Sequence, residues 1–424
     1  MAESHHHDYE APAIPADVGA LRAKALLAGL IGLGAWLVLG FINMGSYESG
    51  QHGGTRDFFL TYLTGFVFWM ALPIGSMTLL LIAYMTSASW GLVFRRMFQA
   101  CTRTLPIMVL LGAPVYASLF FGEESPFWWV NPTSSLEGMN SSTSIEHETQ
   151  YRQANFLNKN HFIAISAIIF ALYYVVNGCL NRWGLKSEDE GDRSSWVKLR
   201  YLAGPGIIIW AVTFTIYNTY YVMSIEPAWA STMFPVIAAM DMFLTCMMFS
   251  ALVFYTLIGT NGTALSIIKH KFRIDIGSLS FGFCMIWAYG SFSQFMLIWA
   301  GNMPEEITFY KKRFEGGWIY LAYLLMFVHW FLPFVLFLFR EVKTDPKKMK
   351  WMAWMLLTIV AGDVIWWIVP AYPHDHQVLH VPMAIAAIVG VGGIWCFFFF
   401  SELKKRNLLP KKDTEFLATW GEHH

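Results

Sequence analysis

Long apolar runs separated by short polar clusters set the pattern of this chain. A bilayer core is crossed by about 20 consecutive apolar residues in a helix. Ten such runs recur, at about 26–44, 58–84, 104–121, 157–180, 202–222, 233–258, 276–299, 317–339, 351–370 and 380–400. The pattern predicts an all-α, polytopic membrane protein with about ten transmembrane helices in one domain, 22–403, between tails at 1–21 and 404–424. Pro73, Pro106, Pro114, Pro205 and Pro333 fall near or inside the runs. A membrane bundle tolerates such kinks because neighbouring helices re-satisfy the freed carbonyls.

Basic residues orient the runs, since cytoplasmic loops collect Lys and Arg. With both termini cytoplasmic, 23 of the 29 basic residues lie on the inner side and six on the outer. The discordant loop is 300–316, where Lys311, Lys312 and Arg313 sit beside Glu305, Glu306 and Glu315. Those carboxylates, or a partner subunit, are expected to neutralise them. The outer segment 122–156 (FGEESPFWWVNP within it) is acidic and aromatic, suited to docking an extracytoplasmic partner or to lying in the interface as an aromatic belt. The inner segment 182–200 (with KSEDEGDR) reads as a solvated loop.

Composition narrows the chemistry. The chain is 56% hydrophobic and only 14% charged, which excludes an ordinary soluble domain. Zero net charge gives no footing for nucleic acid. Cys101, Cys179, Cys246, Cys284 and Cys396 are scattered, without a CxxC or CxxCH, so no iron–sulfur cluster or c-type haem is encoded. A di-haem membrane subunit offers histidine pairs on facing helices. Here the spans hold His329 and, at an edge, His161, whereas His374, His376 and His380 fall in an outer loop or helix start. No haem and no metal are expected in this chain, and no nucleotide-binding motif appears.

Against this background the ionisable residues inside the spans stand out, because a charge in hydrocarbon costs about 2.5–3.5 kcal/mol on insertion scales. A rise of 1.5 Å per residue puts Asp241 about 10–12 Å and Asp363 about 10 Å below the outer face, and His329 near mid-span. Gln294 lies about one turn from the outer end of the seventh run, with Asn302, Glu305 and Glu306 at the mouth. Asp57, Lys159, Asn160, His161, Tyr217 and Asn218 mark the same side. The inventory is lopsided, which fits a half-channel open to one surface better than an alternating-access transporter with a midplane site. A structural role for each group is the competing reading: a hydrogen-bonded interior histidine, a snorkelling Asp363, wet loop carboxylates at Glu305 and Glu306.

Three stretches carry a resemblance: TYLTGFVFWMALPIGSMTLLLIAYMTSASWGLVFRR (61–96), NFLNKNHFIAISAIIFALYYVVNGCLNRW (155–183) and WAYGSFSQFMLIWAGNMPEEITFYKKR (287–313), followed by HWFLPF (329–334). From about residue 20 to 405 the chain resembles the ActF-type membrane subunit (quinone-binding subunit 2) of bacterial alternative complex III, within the NrfD-like group. The resemblance implies two four-helix bundles, helices two to five and six to nine, plus two flanking helices. It implies a subunit of a quinol:electron-acceptor oxidoreductase (quinol:cytochrome c type) in the bacterial inner membrane. The redox centres would lie on extracytoplasmic haem and iron–sulfur subunits, with a paralogous NrfD-like subunit alongside and a terminal oxidase as a further partner. Menaquinone or ubiquinone is the implied ligand. On this reading Asp241 and Asp363 are proton-relay carboxylates, and Tyr289, Gln294 and His329 offer hydrogen bonds to a quinone headgroup or a water chain. Glu305 and Glu306 form the exit mouth. The rivals are a cofactor-free scaffold subunit and an independent secondary transporter.

Overall fold

In hydrocarbon every backbone N–H and C=O must find a partner within its own segment, and the apolar runs meet that demand as helices. The computed structural model describes residues 18–46, 53–130, 156–227, 229–258, 270–372 and 379–408, and among them there is no β-strand. Nine helices are long and apolar enough to span a membrane, ten if one bent pair is a single span, among the described residues. They are α1 (Val18–Gly45), α2 (Gly54–Thr86), the bent α3 (Ser89–Arg103) with α4 (Leu105–Leu111) and α5 (Ala113–Ser118), α6 (Lys159–Asp189), α7 (Arg193–Tyr221), α8 (Phe234–Ile258) and α9 (His270–Gly301). A short α10 (Pro304–Phe314) follows. The eighth span runs through α11 (Trp318–Leu324), a π-helical turn (Leu325–Phe331) and α12 (Leu332–Leu338). Then come α13 (Arg340–Thr344), α14 (Pro346–Ile368) and α15 (His380–Leu403).

The spans sort into two groups of four. Helices α2, α3–α5, α6 and α7 pack together, as do α8, α9, the eighth span and α14; the groups meet across α2 and α8. Those two helices are the most buried spans, at 78% and 83% of their most apolar windows, whereas α1 is only 22% buried. Outside the bundles α1 lies along α15, which rests on α2. Glycine permits that contact: a Cβ on Gly393 would sit 2.2 Å from the Gly29 nitrogen, and one on Gly32 2.5 Å from the Gly390 nitrogen. Small residues one turn apart let membrane helices approach backbone to backbone.

Two expectations need correction. The third span does not begin at 104. It is a helix from Ser89, bent by 41° where Trp90–Arg103 gives way to Leu105–Ser118. Pro106 and Pro114 sit in the first turns of α4 and α5, where a missing N–H is harmless but continuation from the previous helix is broken. Segment 182–200 is not a solvated loop either. Helix α6 runs on to Asp189, and the fully buried Glu188 accepts from Gln99 Nε2 at 2.7 Å and pairs with Arg96 at 3.0 Å and Arg95 at 3.6 Å. An acid flanked by solvent-loving neighbours in sequence is here neutralised from a different helix.

In segment 122–156 the described part, up to Val130, folds inward. Phe127, Trp128 and Trp129 are buried, with Phe127 and Trp129 rings 5.3 and 5.6 Å from Phe162. These aromatics seal the first bundle; they are neither a free docking face nor a lipid belt. Residues 131–155 lie outside the described residues, as do His374 and His376.

Candidate functional site: a buried carboxylate–imidazole–carboxylate row

Each helix of the second bundle sends one polar side chain to a common point: Asp241 from α8, Trp287 from α9, His329 from the π-helical turn and Asp363 from α14. All three titratable groups are buried, at 3%, 0% and 2% exposure. His329 Nε2 lies 3.3 Å from Asp241 Oδ1, and its Nδ1 lies 3.8 Å from Asp363 Oδ2. Trp287 stacks on the imidazole, ring centroids 3.8 Å apart, and its Nε1–H donates to Asp363 Oδ2 at 2.9 Å. The indole therefore fixes both the plane of the imidazole and one oxygen of the second carboxylate.

Local sequence explains the presentation of His329. Pro333 has no N–H to offer the carbonyl four residues back, which is that of His329. The helix answers with a π-turn over Leu325–Phe331, a distortion that recurs at functional sites because it turns a side chain out of its regular register. On α9 the period does the work. Trp287 and Gln294 are seven residues apart and share the inward face, both buried. Tyr289, about 200° around the helix from Trp287 at ~100° per residue, points away.

The row has no permanent cation beside it. Among the described residues neither Asp241 nor Asp363 pairs with Lys or Arg; their ionic contacts are to His329. Two ionised carboxylates with oxygens within 4.8 Å of each other would repel by at least about 3 kcal/mol at an effective dielectric near 20. A neutral imidazole donates from one nitrogen and accepts at the other. Neither contact is a hydrogen bond as it stands: both ring nitrogens of His329 and both oxygens of Asp241 lack a hydrogen-bond partner, and 3.8 Å is too long for one. A proton held by the row sits either on the imidazole or on a carboxyl group. These forms interconvert by moving protons alone. The three groups also offer a metal-sized cluster, their ligand atoms within 4.8 Å of one another. The same buried, cation-free grouping of two acids and an imidazole is also suited to holding and exchanging protons.

The other residues singled out in the sequence are dispersed. Gln294 is buried two turns along α9, where its Oε1 accepts from Ser231 Oγ at 3.1 Å. Tyr289 is 70% exposed, facing away from the bundle, and does not join the row. Glu306 is half-buried on α10; the Glu305 side chain lies outside the described residues. Of the discordant basic residues, Arg313 pairs with Glu226 at 2.6 Å and Lys312 with the same carboxylate at 3.4 Å. Burial holds the Arg313 guanidinium below the ordinary arginine pKa, and Glu226 opposes that fall. A second buried pair, Asp57 with His380 at 2.9 Å, ties α2 to α15, and Asn43 Nδ2 donates to the same carboxylate oxygen of Asp57 at 3.3 Å. His161 is exposed and bonded to its own helix cap, Asn158.

Sequence reasoning missed Trp287 and Glu226. The first was detectable as the residue one heptad before Gln294. The second carried no local signal, because its partner lies 87 residues away. No protein-family model matches the chain, and comparison with curated proteins returns no match.

Proposed function

We propose that this chain is the cofactor-free membrane subunit of a quinol-oxidising respiratory complex of the alternative complex III type, and that the Asp241–His329–Asp363 row carries protons within it. The placement in such a complex rests on the residue stretches 61–96, 155–183 and 287–313. It brings with it a bacterial inner membrane with both termini cytoplasmic, a paralogous NrfD-like neighbour and extracytoplasmic haem and iron–sulfur partners.

The observation that carries the proton role is the buried row with no fixed cation. Quinol oxidation yields two electrons and two protons. The electrons pass to the partner subunits. A proton entering at one carboxylate converts the contact on that side, the imidazole exchanges its tautomer, and the far carboxylate releases a proton. Trp287 keeps the imidazole between the two acids throughout. A direct quinone pocket at this point is the less favoured half of the reading. The cavity that Asp241 borders has a volume of ≈ 30 Å³, far below the roughly 300 Å³ or more of ring-binding pockets. A quinone headgroup would sit elsewhere on the subunit.

The test is Asp241→Asn and, separately, Asp363→Asn in the assembled complex, with quinol turnover and proton release measured together. Each should lower coupled turnover by about a hundredfold, the usual scale for a lost proton-transfer group. Wild-type turnover with wild-type proton release in both variants overturns the relay and leaves the scaffold role.

A further inference from the structure

The cavity beside Asp241 does not belong to the second bundle alone. Its wall is shared by α2, α7, α8 and α14, so it lies at the seam between the bundles. Most of the lining is apolar, from side chains such as Val67, Ala71 and Ala238; the polar groups are Asp241, Thr245, Tyr217 and Asn218. Two of these are unsatisfied. The Tyr217 hydroxyl is buried with no hydrogen-bond partner, and both Asp241 carboxylate oxygens are buried without one. A buried hydroxyl or carboxylate left bare carries an uncompensated desolvation penalty. Unsatisfied polar groups facing one void are the condition under which proteins hold an internal water, which needs about 10–15 Å³ of space and two to four polar partners. The ≈ 30 Å³ present meets the first requirement. Asp241 as acceptor and Tyr217 as donor or acceptor meet the second, with Asn218 alongside.

We infer that this cavity is a water-binding site that joins the Asp241 end of the row to Tyr217 of the first bundle, so that protons cross the seam between bundles. Its second half rests on the proton role proposed above. Beyond Tyr217 the first bundle holds a further group of hydroxyls, reached by ring packing and not by a direct hydrogen bond. The Tyr217 ring stacks on Tyr221 with centroids 4.4 Å apart. The Tyr221 hydroxyl donates to Ser166 Oγ at 2.9 Å and lies 3.2 Å from the Tyr116 hydroxyl. Tyr116 itself is half-buried, at the margin of the bundle. The working unit is then the pair of bundles.

Infrared spectroscopy of the full chain in its native membrane tests this. The carboxylic C=O band of the row is identified as the one that Asp241→Asn or Asp363→Asn removes, and its hydrogen–deuterium exchange is timed. Tyr217→Phe deletes one hydroxyl and keeps the ring stacked on Tyr221. Ala238→Val adds two methyl groups to the cavity wall. Both should slow exchange by about tenfold or more, equivalent to at least ~1.4 kcal/mol on the barrier, and a high-resolution map should show water between Asp241 and Tyr217. A dry cavity, or wild-type exchange in both variants, overturns the bridge and leaves the row standing. If the wild-type chain has no exchangeable carboxylic band that the Asp variants remove, the row fails and the bridge with it.

Discussion

Arg313→Leu probes the anchor that holds the end of α14, and with it Asp363. The fully buried guanidinium makes four hydrogen bonds: Nη1 to Glu226 Oε1 at 2.6 Å and to the Phe309 carbonyl at 2.8 Å, Nε to the Trp366 carbonyl at 2.9 Å, and Nη2 to the Trp367 carbonyl at 2.5 Å. It also lies 3.5 Å over the Phe309 ring. Leucine removes all of these and leaves Glu226, 5% exposed, with Lys312 at 3.4 Å as its remaining ionic partner. Deleting one member of a buried pair costs about 3–5 kcal/mol, and the Lys312 contact offsets part, so about 3 kcal/mol is expected. At roughly 2 °C per kcal/mol for a large chain, the apparent Tm in detergent should fall by about 6 °C. Arg313→Lys keeps the charge but lacks the planar fork that reaches Glu226 and three carbonyls together, so it should fall in between. Adding Glu226→Gln to Arg313→Leu removes the stranded carboxylate and should recover at least ~1 kcal/mol in a double-mutant cycle. A Tm change under ~1 °C for Arg313→Leu, or strictly additive effects in the cycle, would refute the reasoning.

Two further outcomes follow from packing and capping. Gly393→Val puts a Cβ 2.2 Å from the Gly29 nitrogen, so α1 must separate from α15; proteolysis near residue 46 should accelerate, and an unchanged cleavage rate argues against the contact. At the start of α7, hydrogen bonds from the Ser195 and Ser194 hydroxyls and the Ser194 N–H hold the Asp192 carboxyl down to about 2. A carboxyl depressed in the folded state contributes stability above its ordinary value of 3.8 and loses it as pH falls through about 2. Amide exchange over residues 193–197 should therefore rise in that acid window, and Asp192→Ala should show the faster exchange already at neutral pH. A flat acid profile in the wild-type chain would contradict the cap.

How much of the site was legible from the chain alone differs by residue. Asp241, His329 and Asp363 were visible because hydrocarbon penalises charge, so an acid or imidazole inside an apolar run is conspicuous in one dimension. Their depth followed from helical rise. The outward direction of Tyr289 was not legible, because an aromatic on a membrane helix is equally at home facing lipid or protein. Only its angular offset from Trp287 separates the two, and which face turns inward is decided by the neighbours. Glu188 looked solvated because its sequence neighbours are polar, while the arginines that neutralise it come from α3.

The amino-acid sequence by itself determined that the chain is helical and membrane-spanning, where most spans lie, and which buried groups are chemically expensive. Each of these follows from the cost of putting polar atoms into lipid, a property of local composition. The tertiary structure alone decided that the two acids flank one imidazole, that Arg313 answers Glu226, that the α1–α15 contact runs on glycine, and that a small void is bordered by both Asp241 and Tyr217. Those depend on which faces of separate helices meet, and an apolar stripe carries the same hydrophobicity whether it touches lipid or another helix.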